Sequence, residues 1–127
     1  MNHDEFVRTV QAQSDLSDEA RVSAAAESVL AVLSERLNHG QCEELAEALP
    51  DNLADAVTQA DGDAEEFDAD EFVQRVRRRE DEREELDGND APTHIRSVLM
   101  SLMESTDDRW DDALAQLPED YRRLYEG

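Results

Sequence analysis

Apolar residues recur at helical spacing through the first 57 positions. Phe6, Val7 and Val10 share one face, which predicts a helix over 3–13, with Asn2 and Glu5 in N-cap spacing. Asp15-Leu16-Ser17 breaks the pattern, and Ser17 is placed to cap the next helix. That helix is predicted over 18–38, with Val22, Ala25, Ala26, Val29, Val32, Leu33 and Leu37 on one stripe. Asn38-His39-Gly40 is predicted to stop it, Gly40 taking the left-handed backbone that ends helices. Cys42, Leu45, Ala46 and Leu49 stand at i, i+3, i+4 and i+7, so a short third helix ends before Pro50. Pro50 opens a fourth, with Leu53, Ala56 and Val57 facing in. Residues 58–67 read as a linker around the turn signal Asp61-Gly62-Asp63.

The pattern then returns. Asp4-Glu5-Phe6-Val7 and Val10 reappear as Asp70-Glu71-Phe72-Val73 and Val76. Ser28-Val29-Leu30 reappears as Ser97-Val98-Leu99, and Leu49-Pro50 as Leu117-Pro118. Three matches in one order at nearly constant spacing point to two copies of one helical unit. Asp68 and Glu71 again have cap spacing. Asp90 or Pro92 starts a helix striped by Ile95, Val98, Leu99, Leu102 and Met103. Asp107 or Asp108 caps the next, with Trp110, Ala113, Leu114 and Leu117, and Pro118 opens the last, with Tyr121, Leu124 and Tyr125. No alternating run or hairpin signal occurs. The expected fold is all-α, about eight helices arranged as two pseudo-symmetric four-helix repeats sharing one core. Repeat one spans about 3–57, the linker about 58–67 and repeat two about 68–125, all in a single domain over 1–127. The pairing follows from repeats that cannot bury their apolar faces alone.

The copies differ in one place. After Val76 the apolar pattern stops, and Arg77–Glu85 contains no apolar residue. A helix continuing there reads as polar all round, a solvated end held by the pairs Arg77–Asp81, Arg78–Glu82 and Glu80–Arg83 before the loop Asp87–Asp90.

Charge changes the picture of the solvent. There are 34 acids against 12 bases, every base is arginine, and the net charge is −22. The acids are not a tail: residues 1–66 carry −13 and residues 67–127 carry −9. A helical core under such a shell suits a saline cytoplasm, where dense salt screens self-repulsion. No apolar run approaches the roughly 20 residues of a membrane span, and no signal peptide stands at the start. The single cysteine fits a reducing compartment. A cytoplasmic protein is expected, with no membrane and no nucleic acid, since the overall charge opposes phosphate.

A Phe-x-x-x-Val helix, a long Ala/Val/Leu helix and a Leu-Pro-terminated short helix, all occurring twice, resemble the uncharacterised family called domain of unknown function 2267. The residues are Phe6, Val10, Val29, Leu33, Leu37, Leu45, Leu49, Pro50 and Leu53, and then Phe72, Val76, Val98, Leu102, Leu114, Leu117, Pro118 and Tyr121. The resemblance covers about 3–57 and 69–125. It implies an all-helical domain with no assigned reaction and no catalytic residues.

Candidate chemistry is sparse. Cys42 lies opposite Trp110 in the repeat register, so it reads as a buried core residue. His39 lies three residues before it, across the Gly40 break, and the pair carries no nucleophile–base expectation. His3, His39 and His94 read as solvent-facing, without metal-ligand spacing. Asp61-Gly62-Asp63 with Glu65 lacks the terminal glutamate of a calcium loop. No phosphate loop, serine elbow or dinucleotide fingerprint appears. No catalytic residue, metal or cofactor is therefore expected. No polar residue interrupts the apolar stripes, which favours a non-catalytic interaction or accessory module with a protein partner. Arg75, Arg77, Arg78, Arg79 and Arg83 are the candidate docking patch for an acidic surface. The alternative is a small-ligand binder or enzyme with a site in the seam between copies, built from His94, Trp110, Tyr121 and Tyr125.

Overall fold

The computed structural model describes residues 3–14, 16, 18–47, 49–58, 64–84, 86, 88–105 and 117–126. Among them are seven α-helices, two 3-10 turns and no strand. The helices are α1 (His3–Gln13), α2 (Glu19–Arg36), α3 (His39–Glu47), α4 (Asp51–Val57), α5 (Ala69–Asp81), α6 (Ala91–Ser105) and α7 (Arg123–Glu126). The 3-10 turns are Gly88–Asp90, leading into α6, and Glu119–Arg122, leading into α7. The expected helix through Trp110, Ala113 and Leu114 lies outside the described residues, as do Asn2, Ser17 and the 61–63 turn. No helix among the described residues is long and apolar enough to cross a membrane.

α2 is the centre. It is apolar on nearly every side, from Val22 to Leu33, and it packs on α1, α4, α5 and α6. Its buried Ser28 satisfies its hydroxyl on the Ala24 carbonyl one turn back, at 2.9 Å. α1 lies against α6, α3 against α4, and α7 against α6. The core runs through all of them: Phe6 and Val10, Val29 and Leu33, Leu53, Phe72 and Val76, Val98 and Leu102. Each such side chain contributes about 1.5–3 kcal/mol relative to leaving it in water.

Local chemistry fixes the helix ends. Asp68 caps α5 as its spacing predicts, its carboxylate accepting the Glu71 N–H at 2.9 Å. α2 is capped by Asp18, whose carboxylate accepts the Ala20 N–H at 2.9 Å. Gly40 does not end α2. The helix stops at Arg36 because Leu37 turns extended, φ −94° and ψ 155°, to bury its side chain. Asn38 then starts α3 by exchanging bonds with Gln41: its side chain accepts the Gln41 N–H at 2.8 Å, and the Gln41 side chain accepts the Asn38 N–H at 3.2 Å. Gly40 sits within α3.

The two Leu-Pro steps have the same backbone. Pro50 has φ −58° and ψ 153°, and Pro118 has φ −55° and ψ 153°. In each, the residue three further on donates its N–H to the proline carbonyl at 3.0 Å, Leu53 in one and Tyr121 in the other. Leu49, Leu53, Leu117 and Tyr121 are all buried. The end of the linker is anchored too. The Glu65 N–H donates to the Glu35 carbonyl at 2.9 Å, and Phe67 stacks on Phe72 with ring centroids 6.5 Å apart.

Candidate functional site

α5 carries the arginine-rich stretch, and its two faces do different things. Arg75 and Arg79 are one turn apart on α5, and Arg83 follows four residues later, just past the helix end. The three meet α2. Arg83 pairs with Glu27 at 3.2 Å, Arg79 with Glu35 at 3.7 Å, and Arg75 reaches Glu35 at 3.9 Å. The reversed order of partners shows that α2 and α5 run antiparallel. Arg75 is the most tightly held. It bonds Glu71 at 3.0 Å and Glu65 at 3.1 Å, and its guanidinium lies 4.0 Å from the Phe67 ring centre. The Glu65 carboxylate holds the Arg75 guanidinium above its ordinary pKa. Arg77 donates to the Asn89 side chain at 2.8 Å, and Arg78 is exposed. The expected pair of Glu80 with Arg83 does not form, because Glu80 points the other way.

Two polar grooves border this row. One, of about 540 Å³, is walled by Glu27 and Ala31 of α2, Asn52 and Asp55 of α4, and Arg79, Glu82 and Arg83. The other, of about 360 Å³, is lined by Glu35, Glu71, Glu82, Arg75, Arg78 and Arg79. Each mixes guanidinium and carboxylate groups, so each suits a polar surface that brings charges of its own.

The inner face of α5 corrects two expectations. The apolar stripe Phe72–Val76 continues one turn to Glu80, which is 0% exposed. Residues 77–84, expected to be polar all round, are therefore not free of the core. They are pinned through Glu80, and the stripe is interrupted by a polar residue. The partner is His94, at the start of α6, which is 4% exposed and not solvent-facing. Its Nδ1 meets Glu80 Oε2 in a short hydrogen bond. Glu80 Oε1 is buried with no hydrogen-bond partner among the described residues. The turn between the two helices seals this end: the Gly88 N–H donates to Asp81 Oδ1 at 3.0 Å, and any side chain at Gly88 would run into Asp81 and Arg77. A signal for the pair was present in the sequence, since Glu80 lies at i+4 from Val76 and i+8 from Phe72.

The other histidines are partly or fully exposed. His3 lies 2.8 Å from Glu19, and His39 lies 3.0 Å from Glu43. Cys42 is 3% exposed, with its thiol against the Ser34 and Leu37 carbonyls at 3.8 and 3.9 Å. Burial pushes its pKa up, away from the thiolate a nucleophile needs.

Three of the four seam residues lie among the described residues. Tyr121 is buried near the start of α5. Its hydroxyl donates to the Phe67 carbonyl, its ring meets Phe72 edge-on at 5.6 Å, and burial pushes its pKa up to about 12. Asp120 beside it accepts the Ala69 N–H at 2.8 Å. His94 meets α5 further along, at Glu80. Tyr125 is half-buried, and Trp110 lies outside the described residues.

Comparison with known proteins places the chain. No curated protein matches it. Residues 3–124 match the family described as "Uncharacterized conserved protein (DUF2267)". With nearly the whole chain covered, this protein belongs to the DUF2267 family of uncharacterized conserved proteins.

Proposed function

We propose that the protein is a non-catalytic helical interaction module of a saline cytoplasm, and that the arginine row of α5 docks an acidic surface of a protein partner. The carrying observation is the looseness of the Arg79 contact. Its ion pair to Glu35 is 3.7 Å long, beyond hydrogen-bond distance, on a side chain 38% exposed. A guanidinium held that way keeps its fork open to a carboxylate that bonds both of its nitrogens. Exposed Arg78 stands beside it, on a chain whose surface is otherwise dominated by acid. We read the fold as two copies of one helical unit, about 3–57 and 68–125. The matching Leu-Pro backbones, and the burial of Phe6 with Phe72 and of Leu33 with Leu102, support that reading. The acidic shell supports the saline setting. Its self-repulsion reaches about 30 Å at 0.01 M salt but only about 3 Å at 1 M.

The test replaces Arg77, Arg78 and Arg79 with Gln and compares affinity capture from native high-salt lysate. The variant is expected to keep its helical circular dichroism and lose partners that the parent retains. An intact fold with an unchanged set of partners would overturn the docking reading. The other reading is a small ligand held in the seam by His94, Trp110, Tyr121 and Tyr125.

A further inference from the structure

Among the described residues, four arginines are partly buried: Arg36, Arg75, Arg79 and Arg83. Arg75, Arg79 and Arg83 are each ion-paired to a glutamate. Arg36, in the last turn of α2, has no carboxylate within ion-pair distance among the described residues, in a chain with 34 acids. Its guanidinium carbon lies 5.7 Å from the Tyr121 ring centre, and its Nε is buried with no hydrogen-bond partner among the described residues. Shielding a charge from water in this way carries a cost that no described carboxylate offsets. The guanidinium lines an open cavity of about 420 Å³, together with Glu66, Phe67, Asp68, Pro118 and Asp120. We propose that this cavity binds a free α-amino acid with an apolar side chain. The site stands apart from the arginine row and does not rest on the docking reading.

The lining decides the class of ligand. One guanidinium stands among three carboxylates, so a simple anion meets net repulsion and a simple cation leaves Arg36 unpaired. A zwitterion satisfies both signs, and an α-amino acid carries both charges near neutral pH. Its carboxylate suits the two terminal nitrogens of Arg36, which bond both oxygens at once. Its ammonium suits the carboxylates opposite. Asp68 spends Oδ1 on the Glu71 N–H, and Asp120 spends Oδ2 on the Ala69 N–H, so one oxygen of each is left for the ligand. Phe67 and Pro118 supply carbon surface for an apolar side chain. The volume lies within the usual range of small-molecule sites.

The walls are held before any ligand arrives. The bond from the Glu65 N–H to the Glu35 carbonyl ties the approach to Phe67 onto α2. The Tyr121 hydroxyl, beneath Arg36, donates to the Phe67 carbonyl, and Asp120 joins the Leu-Pro turn to the start of α5. A site fixed in this way loses little on ordering when it binds.

The experiment titrates the isotope-labelled full-length chain with L-leucine and L-phenylalanine, in molar salt near neutral pH, and follows the backbone amides. Saturable shifts centred on the amides of residues 64–69 and 119–121 are expected, with half-saturation below about 10 mM. Analogues separate the contacts on the parent chain. Isocaproate and hydrocinnamate lack the ammonium; isoamylamine and phenethylamine lack the carboxylate. Each is expected to bind about tenfold or more weakly than the amino acid it matches, the loss of one charged hydrogen-bonding group. Arg36→Gln, with its helical circular dichroism intact, is expected to weaken both amino acids about tenfold or more and to leave the two amines unchanged. A merely structural role for Arg36 would weaken all of them alike. No saturable shift with either amino acid, or shifts centred elsewhere, would overturn the site. So would analogues that bind as tightly as the amino acids, or equal amino-acid binding by a folded Arg36→Gln. If that variant does not fold, the analogue series on the parent decides alone.

Discussion

The helices α1 and α5 begin with the same Asp-Glu-Phe-Val run and the same Val three residues later. Both bury the phenylalanine and that valine. They part four residues further on, where α1 has Ser14 and α5 has Glu80. Ser14 spends its hydroxyl locally: it donates to the Val10 carbonyl at 2.8 Å and accepts the Leu16 N–H at 3.3 Å, and the helix ends. Glu80 is too long for a local bond of that kind and too polar to stay buried alone. It reaches across to His94, fourteen residues on, and the helix continues to Asp81. A polar residue in core register therefore either closes its own helix or ties it to another. Side-chain reach decides which.

The largest test of the likeness is at the phenylalanines. Phe6→Ala and Phe72→Ala are each expected to lower stability by about 3–5 kcal/mol in denaturant titrations run in molar salt. Phe72, with Phe67 and Tyr121 against its ring, should lie toward the upper end. A small effect at either site would break the comparison.

The second test sharpens it at the two Leu-Pro turns, where Leu53 and Tyr121 hold corresponding places. Tyr121→Phe keeps the ring and removes the hydroxyl shared between the Phe67 and Asp68 carbonyls, so a loss of about 1 kcal/mol is expected. Its pH dependence is distinctive. The folded Tyr121 pKa is raised to about 12, against about 10 for an unperturbed tyrosine, so the folded state favours the protonated phenol. That contribution is complete below about pH 10 and is lost as pH rises from there toward 12. Melting temperatures across that range should fall more steeply for the parent than for Tyr121→Phe; parallel curves would place the hydroxyl in water. The smallest effect is expected from Ser14→Ala, about 0.5–1 kcal/mol by the same titration, because its bond is local and half exposed. A loss as large as that of a core truncation would erase the contrast with Glu80.

Most of the helical scaffold was readable because apolar spacing is set by the helix period itself. Phe6, Val29, Leu53, Phe72 and Leu102 could be assigned to the core one by one. Cys42 was legible as buried for the same reason. The caps were less so: the bonds made by Asp18 and Asn38 depend on backbone geometry that spacing does not carry. Glu80 and His94 were misread because composition argued against them. In a chain with 34 acids another glutamate looks like surface, and only its register with Val76 says otherwise. The arginine row was visible as a cluster, but its ion pairs to Glu27 and Glu35 depend on how α5 lies against α2.

The central claim is that the arginine-rich end of α5 is pinned to the core through Glu80 and His94. A double-mutant cycle tests it most directly, with Glu80→Ala, His94→Ala and the pair together, by denaturant unfolding in molar salt. Each single change should be severe, since it strands a buried partner, and the double change should cost far less than the two combined. The coupling is expected to be about 1.5–3 kcal/mol. Additive losses, with coupling near zero, would mean that the two side chains do not hold each other, and the claim would fall.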